Sequence, residues 1–567
     1  MSNQSNNNFS HTSRIPDLSK PIGYLGHVRE QFEIEPMKAI SDLLEEIESD
    51  SSNVARVSGK YNKDTYSQLL EKYAVVPVES SINPTALVQD ISKDLFGGIP
   101  LWRSPNLQYN VGAAVNRVSS ALYSLALDLN IFNINDGLSG NTVIAEHAVT
   151  RILSELADVN HKTSCGFFTF GGTATNLYAI KLAVAKIFPQ SRKDGIPHNI
   201  KIAITEDSHF SHLNALNWLG VGVGNALVIK ANTDRTSNLQ DAEEKLKVAI
   251  ESGDKIPVIV INGGTTYDNV IDDIGGFVLL RNNLVKKYKL DYIPQIHVDS
   301  VIGWSWLMFK DYDFEKNKLG IESYTLKLLK SQYDKIKKVN LADSWGIDFH
   351  KGVGSCPVPC SLIMINNAET ASFLSYNDNV DTHQLAREFS EFSPVDYTLE
   401  TSRPAGAALA ALGAIRALGK TGYQAHLGNL VQMNQLLRQI LLQNNRSDVV
   451  ILNENSPGYV SMIRVYPPEL AQMKDLEVSS SDKTAISYTE KINIYMKSFF
   501  KFDIENRMKY SKGVEYSYSS KYISTFSGAK MGALKFYPTS PYINADYIRE
   551  AIEVLLRQKD TFDSANS

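Results

Sequence analysis

Lys351 directly follows His350 in the stretch ADSWGIDFHKGVG, residues 342–354. A lysine amine in a glycine-containing loop, with the apolar segment LIMI soon after, can form a Schiff base with an aldehyde cofactor, and the adjacent imidazole can press on the cofactor's ring. By itself the dipeptide is weak evidence, since most lysines are solvated surface charges. It gains weight because three upstream segments supply the other parts of one site, in a workable order.

The first is FFTFGGTATNLYAIK, where Gly171, Gly172 and Thr173 close a strand and open a helix. Free backbone N–H groups at a helix N-terminus make an anion site that suits phosphate, although glycine pairs are also common in plain turns. The second is ITEDSHFSHLNALNWLG, with His209 and His212 three residues apart at a helix start. A metal would need a third ligand, and none stands nearby in sequence. A flat imidazole stacked on an aromatic cofactor is the other use, and a capping or surface histidine the bland one. The third is QIHVDSVIGW, in which Asp299 ends a run of β-formers. A carboxylate there can keep a pyridine nitrogen protonated and make the ring an electron sink; alone it reads equally as a turn former. Phosphate cradle, stacking imidazole, pyridinium carboxylate and Schiff-base lysine therefore follow one another, each at a strand end.

The elements that must position these residues are short apolar strands alternating with helices between about residues 146 and 370. The strands include KIAIT (201–205), ALVIK (226–230), PVIVING (257–263), QIHVD (295–299) and SLIMI (361–365); the helices include TNLYAIKLAVAKIF (175–188) and AEEKLKVAIESG (242–253). This alternation predicts a mostly parallel sheet covered on both faces, with ligands at the carboxyl ends of the strands. Residues from about 20 to 145 carry helical periodicity, as in MKAISDLLEEIES. Beyond about 420 a helix, the strand YVSMIRVY and a closing helix YIREAIEVLLRQ suggest a small α+β unit. The expected organisation is a disordered head over 1–18, a helical segment over 19–145, a large α/β domain over 146–425 and a small domain over 426–567.

A chain of 567 residues exceeds one small core, and 43% hydrophobic with 21% charged residues describes an ordinary soluble globular protein. A net charge of −5 offers no basic field for nucleic acid or anionic lipid. Cys165, Cys356 and Cys360 are too few for a disulfide framework and lack the pattern of a zinc site, so reduced thiols and a cytoplasmic location are expected. The N-terminus has no apolar signal region. The small-residue run AGAALAALGAIRALG (405–419), broken by Arg416, reads as a buried packed helix and not a membrane span.

The ordered motifs GGTATN, DSHFS, NGGTTYDNVID, HVDS, DFHKG and DYTLETSR, spread over about residues 95 to 425, resemble the group II pyridoxal phosphate-dependent amino acid decarboxylases. The resemblance implies fold type I of the pyridoxal phosphate enzymes: a seven-stranded, mostly parallel sheet in a large domain, a helical N-terminal segment and a small α+β C-terminal domain. It implies pyridoxal 5′-phosphate as cofactor, with Lys351 as Schiff-base lysine, Asp299 as partner of the pyridinium nitrogen and His209 stacked on the ring. Gly172 and Thr173 then cradle the phosphate, Thr265 lies near Asp299, His350 touches phosphate or substrate, and Val301 stands near the ring. Arg403, Gln108 and Tyr397 are the substrate-side candidates, and no metal is expected. The implied activity is decarboxylation of an L-amino acid to its amine, by a homodimer whose active site lies at the subunit interface and whose N-terminal helices intertwine. Arg403 with Arg103 would suit an acidic substrate, and Trp102, Trp304 and Trp306 an aromatic pocket; packing and surface charge is the alternative for all of these and the reading taken for the tryptophans.

The chain departs from the family pattern in three places. The stretch between Asp299 and Lys351 is longer and carries an extra helix, SYTLKLLKSQYDKIKKV. Bulky Val301 replaces a small residue after the Asp–Ser pair. Family members carry a tyrosine on a mobile loop that protonates the α-carbon; here the polar stretch 377–393 is flanked by Tyr376 and Tyr397, with Phe389 and Phe392 between, and neither tyrosine aligns. A lyase or decarboxylation-dependent oxidative deaminase therefore stays open, as does a degenerate homologue acting as a binding protein.

Overall fold

The computed structural model describes residues 63–75, 84–96, 99–375, 394–479, 483–507, 514–524 and 529–566. The expected disordered head, the MKAISDLLEEIES helix, and the loop 377–393 with Tyr376, Phe389 and Phe392 lie outside the described residues. The chain divides into two compact units, Met1–Pro100 and Leu101–Ser567. In the first, helices Lys63–Tyr73 and Pro84–Leu95 are joined at Asp94, whose carboxylate accepts from Lys72 Nζ at 2.6 Å and from the Tyr73 hydroxyl at 2.8 Å.

The second unit is built on a seven-stranded sheet: β1 (Cys165–Thr169), β2 (Ile202–Thr205), β3 (Ala226–Ile229), β4 (Val258–Asn262), β5 (Gln295–Asp299), β6 (Ser344–Asp348) and β7 (Ser361–Ile365). Their spatial order is β1-β7-β6-β5-β4-β2-β3. All pairings are parallel except those of β7, which runs antiparallel to β1 and β6. Strands such as IAIT, VIVIN and SLIMI are buried at every position, as a sheet covered on both faces requires. Strands β1 and β6 escape the apolar reading because each carries a glycine and polar residues (CGFFT, SWGID), yet both are wholly buried.

Register explains why the chemistry gathers at one edge. Asn262 and Asp299 are direct partners at the ends of β4 and β5, and Asp348 ends β6 beside them in the sheet. Helix Gly172–Ile187 starts at the end of β1, three residues earlier than its apolar pattern, so Gly172 and Thr173 are its first residues.

A second, antiparallel sheet has the order β10-β11-β9-β8, from β8 (Val449–Ile451), β9 (Ser461–Val465), β10 (Ser517–Ser524) and β11 (Lys530–Phe536). The small-residue run lies in helix Gly406–Gln443, which changes direction at Gly419. A Cβ at Gly413 would stand 2.6 Å from Leu122 of helix Arg117–Asp128, so small residues set the close approach of the two helices. No described helix is long and apolar enough to cross a membrane. The extra helix between Asp299 and Lys351 is present as Ser323–Ile336. Trp304 and Trp306 are fully buried, and the three cysteines are buried and unpaired.

Candidate active site

One cavity of about 220 Å³ opens at the carboxyl edge of the larger sheet. Its wall contains Gly172, Thr173, His209, Thr265, Asp299, Val301, His350 and Lys351, so eight residues from five separate segments meet there. The geometry adds Asn176, Asp207, Ser211 and Asp348.

Asp299 is buried, and its Oδ2 accepts from His212 Nε2 at 2.9 Å and from Asn176 Nδ2 at 3.0 Å. Burial pushes this carboxyl up, but the hydrogen bond and charge of His212, helped by Lys351 and Asn176, outweigh it and hold the group well below the usual carboxylate range. Its Oδ1 receives one long contact, from the Val301 N–H at 3.5 Å. Asn176 is itself oriented by His297 Nε2 at 3.1 Å, and His297 Nδ1 meets Ser344 Oγ at 2.9 Å. Burial pushes His297 down to about 4, so this relay is a neutral imidazole at physiological pH.

The two histidines of DSHFSH divide the work. His212 is fully buried and serves Asp299, whereas His209 stays half-buried on the cavity wall with Nδ1 2.9 Å from Ser211 Oγ. Burial, reinforced by the nearby Lys351 charge, pushes His209 down to about 4 and leaves a flat neutral ring. The role of His212 was not legible in the sequence beyond its spacing from His209.

The Lys351 loop is pinned from three sides. Gly352 has φ of +53°, and a Cβ there would stand 2.2 Å from the Tyr459 hydroxyl oxygen, so both backbone and space demand glycine. Gly352 N donates to Val111 O at 2.6 Å, and Ala113 N donates to His350 O at 3.1 Å. The same segment reaches the second sheet, where Tyr537 N donates to Gln108 O and Gln108 N to Glu515 O. Lys351 Nζ lies 2.8 Å from Asp348 Oδ2.

Asp207 pairs with Arg235, yet burial dominates and pushes its carboxyl up to about 6. Thr265 is fixed in its turn, its Oγ1 accepting from Val270 N at 3.2 Å.

The three substrate-side candidates do not line this cavity. Arg403 is buried elsewhere, donating to Glu146 Oε2, Asn133 O and Phe168 O at 2.8–2.9 Å. Every one of those acceptors belongs to the scaffold, so its guanidinium has a structural task. Tyr397 is buried in an apolar cluster with Phe167 and Tyr178. Gln108 is fully buried, and neither end of its amide has a hydrogen-bond partner.

A parallel sheet with a lysine, a buried carboxylate and a glycine-opened helix at its carboxyl edge defines a class of cofactor enzymes of α/β architecture. The sequence places it within that class: the model described as the pyridoxal-dependent decarboxylase conserved domain matches residues 71–463, and the chain belongs to this family. An acidic amino acid decarboxylase of Xenopus tropicalis is 27% identical over 173 residues, covering 30% of this chain and 32% of that relative, so the match spans about a third of its length. Among solved structures, mouse CSAD in apo form superposes with a TM-score of 0.71 at 15% identity, over 92% of this chain and 98% of its own. Oryza sativa TDC with pyridoxal phosphate and tryptamine gives 0.72 at 14% identity, over 96% and 99%. At such identities these two establish the shared fold.

Proposed function

We propose that this protein removes the carboxylate of an L-amino acid as CO2, releasing the corresponding amine, with pyridoxal phosphate attached to Lys351. The observation that carries the reading is the meeting of Lys351, Asp299, His209 and the Gly172–Thr173 turn in one cavity. The residues fit the cofactor. Gly172 and Thr173 open a 16-residue helix whose own first turn has no acidic side chain; the Asp348 carboxylate packs against Gly172, so a phosphate would be held from the Thr173 side. Asp299 keeps Oδ1 for a ring nitrogen while His212 and Asn176 hold Oδ2, and the neutral His209 ring suits stacking. Bound there, the cofactor supplies the electron sink for the pair left when CO2 departs.

The chain's own residues do the rest. Asp299 stays ionised because His212 and Asn176 hold it, and the His297–Ser344 relay keeps Asn176 in the donating orientation. His209 cannot compete for a proton at neutral pH and acts as a flat wall. Thr265 and Val301 shape the sides, and the backbone of Val111 and Ala113 fixes the loop that presents Lys351. Binding that sets the substrate carboxylate perpendicular to the ring selects decarboxylation over amino transfer, a matter of positioning.

The homodimer with a shared active site, the cytoplasmic location and the four-part domain organisation belong to this proposal. The test is a screen of the twenty amino acids and diamino acids for CO2 release with product analysis. CO2 matched by a stable amine supports the reading. Ammonia with peroxide would shift it to oxidative deamination, and a wild-type protein that stays colourless with added pyridoxal phosphate would remove it. Size-exclusion chromatography with light scattering checks the dimer.

A further inference from the structure

Asp348 stands in the same stretch as His350 and Lys351, and nothing in the sequence alone distinguishes it from a turn former. It ends β6, is fully buried and lines the cavity. A carboxylate in such a place is costly unless it is paired and hydrogen-bonded. Its Oδ1 accepts from Ser361 Oγ of the neighbouring strand β7. Its Oδ2 faces Lys351 Nζ at 2.8 Å, with His350 Nε2 farther away at 3.7 Å.

The chain around it is shaped to hold it still. Trp304 Nε1 donates to the Asp348 carbonyl at 3.0 Å, and Asp348 N donates to Val301 O at 3.3 Å. Gly172 is cut to fit it: a Cβ there would lie 2.5 Å from Oδ2 and 2.9 Å from Oδ1. The carboxylate thus abuts the first residue of helix Gly172–Ile187. Ser361 fixes Oδ1, and among the described residues Oδ2 accepts no hydrogen bond and has the Lys351 amine as its nearest cation.

We propose that Asp348 is the positioning residue for Lys351: its carboxylate holds the amine on the cavity wall and, by stabilising the charged form, restrains its attack on a carbonyl until the pair opens. The inference rests on Lys351 being the point of cofactor attachment.

The test uses cofactor-free full-length protein, labelled with limiting acetic anhydride across pH 6–10, with Lys351 acetylation quantified by peptide mass spectrometry against surface lysines. Asp348→Asn removes the charge and keeps the shape. It should raise relative labelling of Lys351 at pH 7 by roughly tenfold to a hundredfold, the scale on which one close opposite charge biases a protonation equilibrium, and leave surface lysines unchanged. Asp348→Ala is read the same way if the asparagine variant does not fold, and formate, which fills the vacated space, should slow its Lys351 labelling again where chloride does not. Equal labelling of Lys351 in wild type and variant, or no effect of formate, overturns the role. Borohydride fixation of pyridoxal phosphate to wild-type Lys351 tests the parent reading separately: its failure removes that reading, whereas fixation with unchanged labelling removes the role of Asp348 alone.

Discussion

Two buried ion pairs in this molecule look alike on paper and differ in purpose. Arg403 and Glu146 form a pair enclosed by the scaffold: Glu146 Oε2 accepts from Arg403, Asn133 Nδ2 and Phe168 N, and Arg403 also donates to the backbone carbonyls of Asn133 and Phe168. Lys351 and Asp348 form an open pair, with the carboxylate fully buried and the amine partly exposed on a cavity. The first ties the start of helix Gly406–Gln443 to helix Val143–Leu156 and β1; the second leaves an amine reachable from the cavity. The difference teaches that burial and pairing do not identify a functional charge. What identifies it is a partner left facing open space.

The comparison can be broken by mutation. Lys351→Ala should abolish cofactor attachment and reduce CO2 release to background, with a far smaller effect on the unfolding midpoint; absorbance and product assays on the same preparation check it. Arg403→Ala should act in the opposite sense, costing about 3–5 kcal/mol of stability because Glu146 is left buried without its cation. Urea unfolding reads that loss, and the folded fraction should keep the wild-type KM. A raised KM at unchanged stability would instead put Arg403 on the substrate and erase the contrast. Asp299→Asn should fold, bind the cofactor and lose roughly 10²-fold in kcat, the scale of removing one preorganised electrostatic partner.

A further expected effect concerns pH. His209 and His297 are both pushed down to about 4 from an ordinary 6.5, chiefly by burial. Their neutral forms therefore favour the folded state, a contribution present above pH 6.5 and lost as pH falls toward 4. Across that window stability should decline by about 1.4 kcal/mol per pH unit for each proton taken up on unfolding. Chemical denaturation from pH 7 to 4 measures the slope, and His297→Gln should flatten it.

The cofactor half of the site was legible because its residues announce themselves locally. QIHVD is a β run closed by a charge, GGT opens a helix, and HK sits in a glycine loop, so each needs only its own neighbours to be read. The eight residues expected around the cofactor do line one cavity. Asp348 and His212 escaped because their meaning depends on contacts far away in sequence: Asp348 on Gly172 and Ser361, His212 on Asp299. The substrate-side candidates likewise depend on distant contacts. Arg403 in LETSR invites a substrate carboxylate, and only the fold shows that Glu146, distant along the chain, already holds it. The alternation of strands and helices, with the motifs set at strand ends, pointed to the sheet and its carboxyl edge, while the bounds and complete burial of β1 and β6 needed the assembled sheet, since glycine and polar residues interrupt their apolar runs.

The central claim is that Lys351 carries the cofactor. Incubation of the full chain with pyridoxal phosphate, reduction with borohydride and peptide mapping test it directly. The account predicts a single pyridoxyl mass increment on the peptide containing Lys351, absent from Lys351→Ala. An increment on another lysine, or none on protein that still releases CO2, would contradict it.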